Sequence, residues 1–147
     1  MSGILLLICC ILCGFCVGLF LQRLEKDCVT FVEDLLRYID LLRVNIDTER
    51  KSLAVFDSEF ISRCGKQFSD YRSGTGGAPS KRTGKLADEF FDGVVACNNS
   101  QQLAKHLDYY KAVVAAQLAE MSCGGKRKGL YVKLGLLLGA MVGLLFL

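Results

Sequence analysis

Residues 3–21, GILLLICCILCGFCVGLFL, form a stretch of 19 residues without a charged side chain. Residues 129–147, GLYVKLGLLLGAMVGLLFL, form a second stretch of this kind, which only Lys133 interrupts. A helix needs about 20 apolar residues to cross the hydrocarbon core of a bilayer. The two stretches therefore predict two membrane-spanning helices, at residues 1–22 and 129–147, with one water-soluble domain at residues 23–128 between them.

Basic side chains flank both stretches on the side of the intervening domain: Arg23, Lys26, Lys126, Arg127, Lys128 and Lys133. Short segments rich in Lys and Arg stay in the cytosol, so the domain is predicted to be cytosolic and both ends of the chain to face outward. These six side chains are expected at the lipid headgroups, which Lys133 reaches by extending its long side chain. The first stretch lacks the positive n-region and the small-x-small cleavage site of a signal peptide, which favours a retained anchor.

The net charge of +3 does not indicate binding to nucleic acid. Residues 22–125 contain 14 Lys and Arg against 15 Asp and Glu, so the excess positive charge lies beside the second apolar stretch. A local excess at that place indicates contact with a membrane surface. The predicted partner of these charges is the lipid bilayer, and no nucleic-acid partner is predicted.

Eight cysteines raise the question of metal or redox chemistry. Cys10, Cys13 and Cys16 have the spacing of iron–sulfur ligands, but the fourth ligand with its following proline is absent and the site would lie in lipid. We interpret these cysteines as small apolar side chains. His106, the single histidine, is predicted on a solvated helix face. The sequence thus predicts no catalytic residue, no cofactor and no metal site.

The intervening segment shows the spacing of three and four residues that is typical of amphipathic helices. One apolar stripe is Leu24, Cys28, Phe31, Leu35, Ile39, Leu42 and Ile46, and another is Leu103, Leu107, Tyr110, Val114, Leu118 and Met121. Cap-type side chains at residues 45–48 predict a turn, followed by a second helix that ends near Gly65. Residues 69–85, rich in Gly, Ser and Thr, predict a flexible linker. The predicted fold is all-α, with a small cytosolic antiparallel helical bundle between the two spans.

Small residues form rows inside both apolar stretches. Gly14 and Gly18 are four residues apart in the first stretch, and Gly135, Gly139 and Gly143 have the same spacing in the second. Glycine at this spacing lets the backbones of two membrane helices approach closely. The rows are therefore predicted to be packing surfaces, either against each other or against a second protein.

Three segments carry a likeness to a known family. They are Tyr131-Val132-Lys133-Leu134-Gly135 followed by Gly139, the polar turn Asn99-Ser100-Gln101-Gln102, and near the front Gly14, Gly18, Arg23, Leu36-Arg37, Leu42 and Ile46. In their order and in the layout of two spans, these segments resemble the stage III sporulation protein AB family. The resemblance covers both ends of the chain and most of its middle.

The resemblance implies a membrane adaptor without enzymatic activity. The family is similar to the inner-membrane platform protein of type II secretion systems and belongs to a channel complex between mother cell and forespore. Its implied partners are a cytosolic secretion-type ATPase and the other membrane subunits of that complex, and its implied location is the mother-cell-derived membrane around the forespore. Two alternatives stay open: a membrane thiol oxidoreductase that uses Cys10, Cys13 and Cys16, and a small self-assembling pore former.

Overall fold

A computed structural model describes residues 2–49, 51–124 and 129–145 of the chain. All the regular secondary structure of these residues is helical. The helices are α1 (Ser2–Val44), α2 (Leu53–Ile61), α3 (Lys66–Arg72), α4 (Lys81–Ala96), α5 (Ser100–Gly124) and α6 (Leu130–Leu145), and a π-helix, Asn45–Glu49, directly follows α1. No strand occurs among the described residues, so the all-α prediction is confirmed for them.

The chain divides into two compact units. The first combines Met1–Lys26 with Cys123–Leu147, and the second is Asp27–Ser122. Helix α1 contributes residues to both units, as expected from a sequence that has no Gly or Pro between residues 19 and 44. Helix α1 thus continues without a break past the first apolar stretch.

Within the described residues, α1 is the one helix long and apolar enough to cross a membrane. Only 6% of its most apolar window is buried inside the structure, which is unlike the core helix of a soluble protein. Helix α6 is also apolar, but its 16 residues are fewer than a full span needs. The structure therefore supports one membrane-spanning segment by length and composition, and the second span stays a prediction.

In the second unit, α1 and α5 run antiparallel. Lys111 Nζ lies 2.8 Å from Asp40 Oδ1, and Arg43 Nε lies 3.4 Å from Asp108 Oδ1. Residue numbers therefore increase along α1 in the direction in which they decrease along α5. These ion pairs are largely exposed and contribute little stability. The apolar stripes predicted from spacing supply buried residues of the core, among them Phe31, Leu35 and Leu107.

Aromatic side chains fill the centre of this unit. Phe68 on α3 is fully buried. Its ring lies 5.5 Å from that of Phe31 and 5.6 Å from that of Phe60, measured between ring centres. Tyr38 on α1 makes edge contacts with the rings of Phe60 and Phe91 at 5.2 and 5.3 Å. Each such pair adds to the stabilisation that comes from burying its apolar surface.

The turn predicted at residues 45–48 coincides with the π-helix, and a buried asparagine closes it. The side-chain nitrogen of Asn45 donates to the Lys51 carbonyl at 3.1 Å, and its side-chain oxygen accepts from the Lys51 amide at 3.2 Å. Because both bonds go to one backbone unit, Asn45 fixes the path of the chain into α2. A buried polar side chain is tolerated when its hydrogen bonds are made in this way.

The predicted end of the second helix was wrong by a few residues. Helix α2 ends at Ile61 rather than near Gly65, and a new short helix, α3, begins at Lys66. Asp34 on α1 accepts a hydrogen bond of 3.0 Å from the Gly65 amide just before α3. A side chain there would collide, since a Cβ on Gly65 would lie 2.6 Å from Asp34 Oδ2. This long-range contact has no local signal in the sequence.

The linker predicted at residues 69–85 is shorter in the structure, and the prediction was wrong at both ends. Helix α3 continues to Arg72 and α4 begins at Lys81, which leaves residues 73–80 as the connection. Ser80 and Thr83 cap α4 reciprocally, each side chain accepting from the other's backbone amide at 3.2 Å. Their hydroxyls therefore begin a helix, although the same residue types also suit a linker.

Candidate functional site

The two glycine rows of the first unit lie against each other. A Cβ placed on Gly14 would lie 2.2 Å from the carbonyl oxygen of Gly135, and a Cβ placed on Gly135 would lie 2.3 Å from the carbonyl oxygen of Gly14. Real Cβ atoms do not approach backbone oxygens so closely. At this point the backbones of α1 and α6 are therefore in direct contact, and only glycine fits at either position.

Further glycines extend the contact in both directions. A Cβ on Gly139 would lie 2.5 Å from the Cys10 carbonyl oxygen, and a Cβ on Gly18 would lie 2.7 Å from the Tyr131 carbonyl oxygen. Close approach of this kind permits weak Cα–H···O contacts and dense packing, which hold helices together in lipid where hydrophobic association is weak. The sequence allowed each glycine row to pack either on the other row or on a second protein. In the structure the two rows pack on each other.

The last glycine of the row has a different environment. A Cβ on Gly143 would lie 2.8 Å from Leu7 Cδ1 and 3.2 Å from Leu7 Cα, so the nearest atom here belongs to a side chain and not to a backbone carbonyl. Leu7 thus pairs with Gly143, whereas Gly18 pairs with Tyr131. The order shows that α1 and α6 run antiparallel within their unit.

Three of the six basic side chains predicted at the headgroups can be placed. Arg23, Lys26 and Lys133 are all exposed, the first two on α1 and the third on α6. The positions of Lys126, Arg127 and Lys128 lie outside the described residues. Exposure of the three cations on their helices is compatible with the predicted contact with lipid headgroups.

The first-span cysteines are divided between two environments. Cys10 is partly buried beside the glycine contact, whereas Cys13 and Cys16 are exposed. None of the seven cysteines whose side chains the structure describes forms a disulfide. Among the described residues, no group of three His, Cys, Asp or Glu side chains is placed to hold a metal ion.

The second unit contains a half-buried polar cluster that the sequence analysis missed. The Tyr38 hydroxyl and the Arg72 guanidinium both donate to the Asp57 carboxylate, so side chains from α1, α2 and α3 meet. The same guanidinium lies 4.0 Å from the centre of the Phe91 ring on α4. Because each member lies on a different helix, no spacing in the sequence indicates the cluster. Its geometry joins four helices around one ion pair.

Tyr38 connects this cluster to the pH dependence of stability. Burial and the hydrogen bond to Asp57 raise the pKa of Tyr38 above its ordinary value of 10.0. Above about pH 10, Tyr38 therefore ionises in the unfolded chain but stays protonated in the folded chain. The contribution of Tyr38 to the free energy of unfolding is therefore complete below about pH 10 and decreases as the pH rises above it.

We expect Tyr38→Phe to remove this alkaline sensitivity and to lower stability at neutral pH. The change deletes a hydrogen bond to a charged carboxylate, which costs about 1.5–3 kcal/mol. Thermal unfolding measured from pH 7 upward should show a lower midpoint for the variant at pH 7 and a shallower decline above about pH 10. Tyr109→Phe, on an exposed residue, is the control. An equally steep alkaline decline in Tyr38→Phe and the unaltered protein would contradict the assignment.

The prediction of a solvated His106 was wrong. Its Nε2 atom donates to the Phe90 carbonyl at 3.0 Å, and its ring stacks on that of Phe90 with 5.6 Å between the ring centres. The ring fits there because the facing residue on α4 is Gly93, where a Cβ would lie 2.0 Å from His106 Cε1. The missing side chain at Gly93 thus creates the space for the imidazole.

Gly93→Ala is expected to destabilise the second unit. The new methyl group must displace the His106 ring, and overpacking of this kind costs about 1–3 kcal/mol. The midpoint of thermal unfolding should fall in the single variant and recover partly in Gly93→Ala/His106→Ala, where the collision is gone. Gly77→Ala, with nothing within 4 Å of its Cβ position, is the control. Lack of any recovery in the double variant would refute the collision.

No family model matches this chain, and no curated protein or solved structure is significantly similar to it.

Proposed function

We propose that this chain is a membrane adaptor in which α1 and α6 form a two-span hairpin. The observation that carries the proposal is the reciprocal backbone contact between Gly14 and Gly135. Away from this contact, α6 exposes apolar side chains such as Leu137 and Leu144, at 59% and 66%. An apolar helix that packs through glycine and turns its leucines outward fits a lipid environment better than water.

The second unit is proposed to be the cytosolic part of this adaptor. Arg23 and Lys26 at the end of the first apolar stretch favour that side for the chain that follows. The aromatic core and the antiparallel pairing of α1 with α5 give the unit a hydrophobic core of its own. Such a core suits a stable docking module held at the membrane surface.

The proposed role of the module is to dock a cytosolic secretion-type ATPase in a sporulation channel complex between mother cell and forespore. This role rests on the resemblance of residues 131–139, the polar turn at residues 99–102 and the front segment to the stage III sporulation protein AB family. On this proposal the adaptor transmits contact between motor and membrane subunits and has no catalytic residue of its own.

Reporter fusions test the hairpin and its orientation. Phosphatase and fluorescent-protein reporters are inserted at Gly77, where the surroundings are open, and fused after the last residue of the chain. The hairpin predicts a cytosolic signal from the internal site and an external signal from the end. A cytosolic signal at both places would refute the two-span proposal.

Co-purification and sporulation test the role. Gly139→Leu is expected to leave the second unit folded but to abolish recovery of the membrane partners and to block spore maturation. Leu138→Ala, at a residue that is 61% exposed, is the matched control and should behave as the unaltered protein does. Failure of the unaltered protein to co-purify with the ATPase from sporulating cells would refute the docking role.

A further inference from the structure

A groove in the second unit has an apolar floor and wall. It lies between α1 and α2 and has a volume of about 390 Å³. Phe56 and Phe60 on α2 are buried at its base, whereas Leu41 and Val44 on α1 line it with 42% and 53% of their surface exposed. Two large apolar side chains so exposed beside a concave surface indicate a surface that a partner covers.

The described charged side chains that line the groove, Lys51, Glu59 and Arg63, carry an excess of positive charge. Lys51 Nζ lies 2.9 Å from Glu59 Oε2, so Glu59, the one acidic side chain among the described residues that line the groove, already has a cationic partner. Arg63, which also lines it, has no acidic partner among the described side chains. Arg37, four residues before Leu41 and therefore on the same face of α1, is likewise exposed and outside any ion pair there.

We propose that this groove docks an acidic amphipathic helix of a partner protein. Apolar side chains spaced at three and four residues would cover Leu41 and Val44, and flanking carboxylates would pair with Arg63 and Arg37. A helix can lie in a concave groove, whereas a concave surface cannot insert into a flat bilayer. The shape of the groove therefore favours a helix over anionic lipid as its occupant. The inference rests on the proposed docking function and assigns the docking surface to these residues.

Photo-crosslinking in cells tests the groove with the full-length protein. Benzoylphenylalanine replaces Val44 in one strain and Val95, an exposed valine on α4, in another. After irradiation, the adducts are purified and the attached segment is sequenced by mass spectrometry. The expected result is an adduct at position 44 with an acidic segment of helical apolar spacing, and none of that segment at position 95.

Charge reversal completes the test. Arg63→Glu should lower the yield of this adduct at least about tenfold, because it places like charges together. Lys105→Glu, with the same change of charge on an exposed face of α5, should leave the yield unchanged. Equal yields in the two variants would overturn the assignment of the groove as the docking surface. An adduct at position 44 with lipid, with a second copy of this chain or with a basic segment would overturn it as well. If the ATPase co-purifies while position 44 gives no adduct, the groove assignment fails and the docking role stands.

Discussion

Gly14→Leu is expected to separate α1 from α6. The backbone oxygen of Gly135 would lie 2.2 Å from the new Cβ, and a backbone atom cannot move aside as a flexible side chain can. Overpacking costs up to about 3 kcal/mol, which corresponds to roughly a hundredfold change in the ratio of packed to separated helices. In the membrane location proposed for the two helices, this loss is not offset by burying the added side chain elsewhere, because the acyl chains are as apolar as leucine.

An engineered disulfide measures the separation. In a cysteine-free background, Leu7→Cys and Gly143→Cys place two thiols together, because the Cβ position of Gly143 lies 3.2 Å from the Leu7 Cα atom. Oxidation in membranes should link this pair almost completely in the parent and at least about tenfold more slowly after Gly14→Leu. Val17→Leu adds the same side chain on an exposed face and is the control. Equal linking in both variants would show that the glycine contact does not hold the helices together.

Phe68→Ala is expected to be among the most destabilising changes in the second unit. The ring is fully buried among Phe31, Phe60 and Phe91. Removing such a ring costs about 3–5 kcal/mol through lost transfer energy and the cavity that remains. For a unit of this size, the midpoint of thermal unfolding should fall by more than about 12 °C.

Near-ultraviolet circular dichroism in detergent follows this unfolding through the tyrosines of the second unit. Phe68→Leu, which keeps much of the apolar volume, should lose less than half as much stability. Val95→Ala, at a residue that is 81% exposed, should change the midpoint little. A midpoint for Phe68→Ala within the error of the Val95→Ala value would contradict the position of this ring in the core.

The sequence predicts the long helices well because their signal is local and repeated. The stripes that include Phe31 and Leu107 follow the helical period over several turns, and both residues are buried. The sequence did not predict helix α3, because it has only seven residues. One of the contacts that position it is the hydrogen bond from the Gly65 amide to Asp34, which lies 31 residues before Gly65. A period cannot be recognised in so short an element. Distant contacts decide such segments.

The same contrast separates the candidate sites. The rows of Gly14 and Gly135 are visible in the sequence as a spacing, although their mutual contact is not. The Tyr38–Asp57–Arg72 cluster gives no spacing at all, since its members come from three helices. Nothing in the sequence sets Asp57 apart from an ordinary polar helix face, and its bonds to the other two residues form only when the helices pack.

The antiparallel pairing of Leu7 with Gly143 also sets the timing of assembly during synthesis. The two residues are separated by almost the whole chain, and a ribosome adds about 5–20 residues per second, so the interval between them is on the order of ten seconds. Throughout that interval the glycine face of α1 has no α6 to pack against. The packing of the two glycine rows therefore follows the synthesis of the second unit and cannot accompany that of α1.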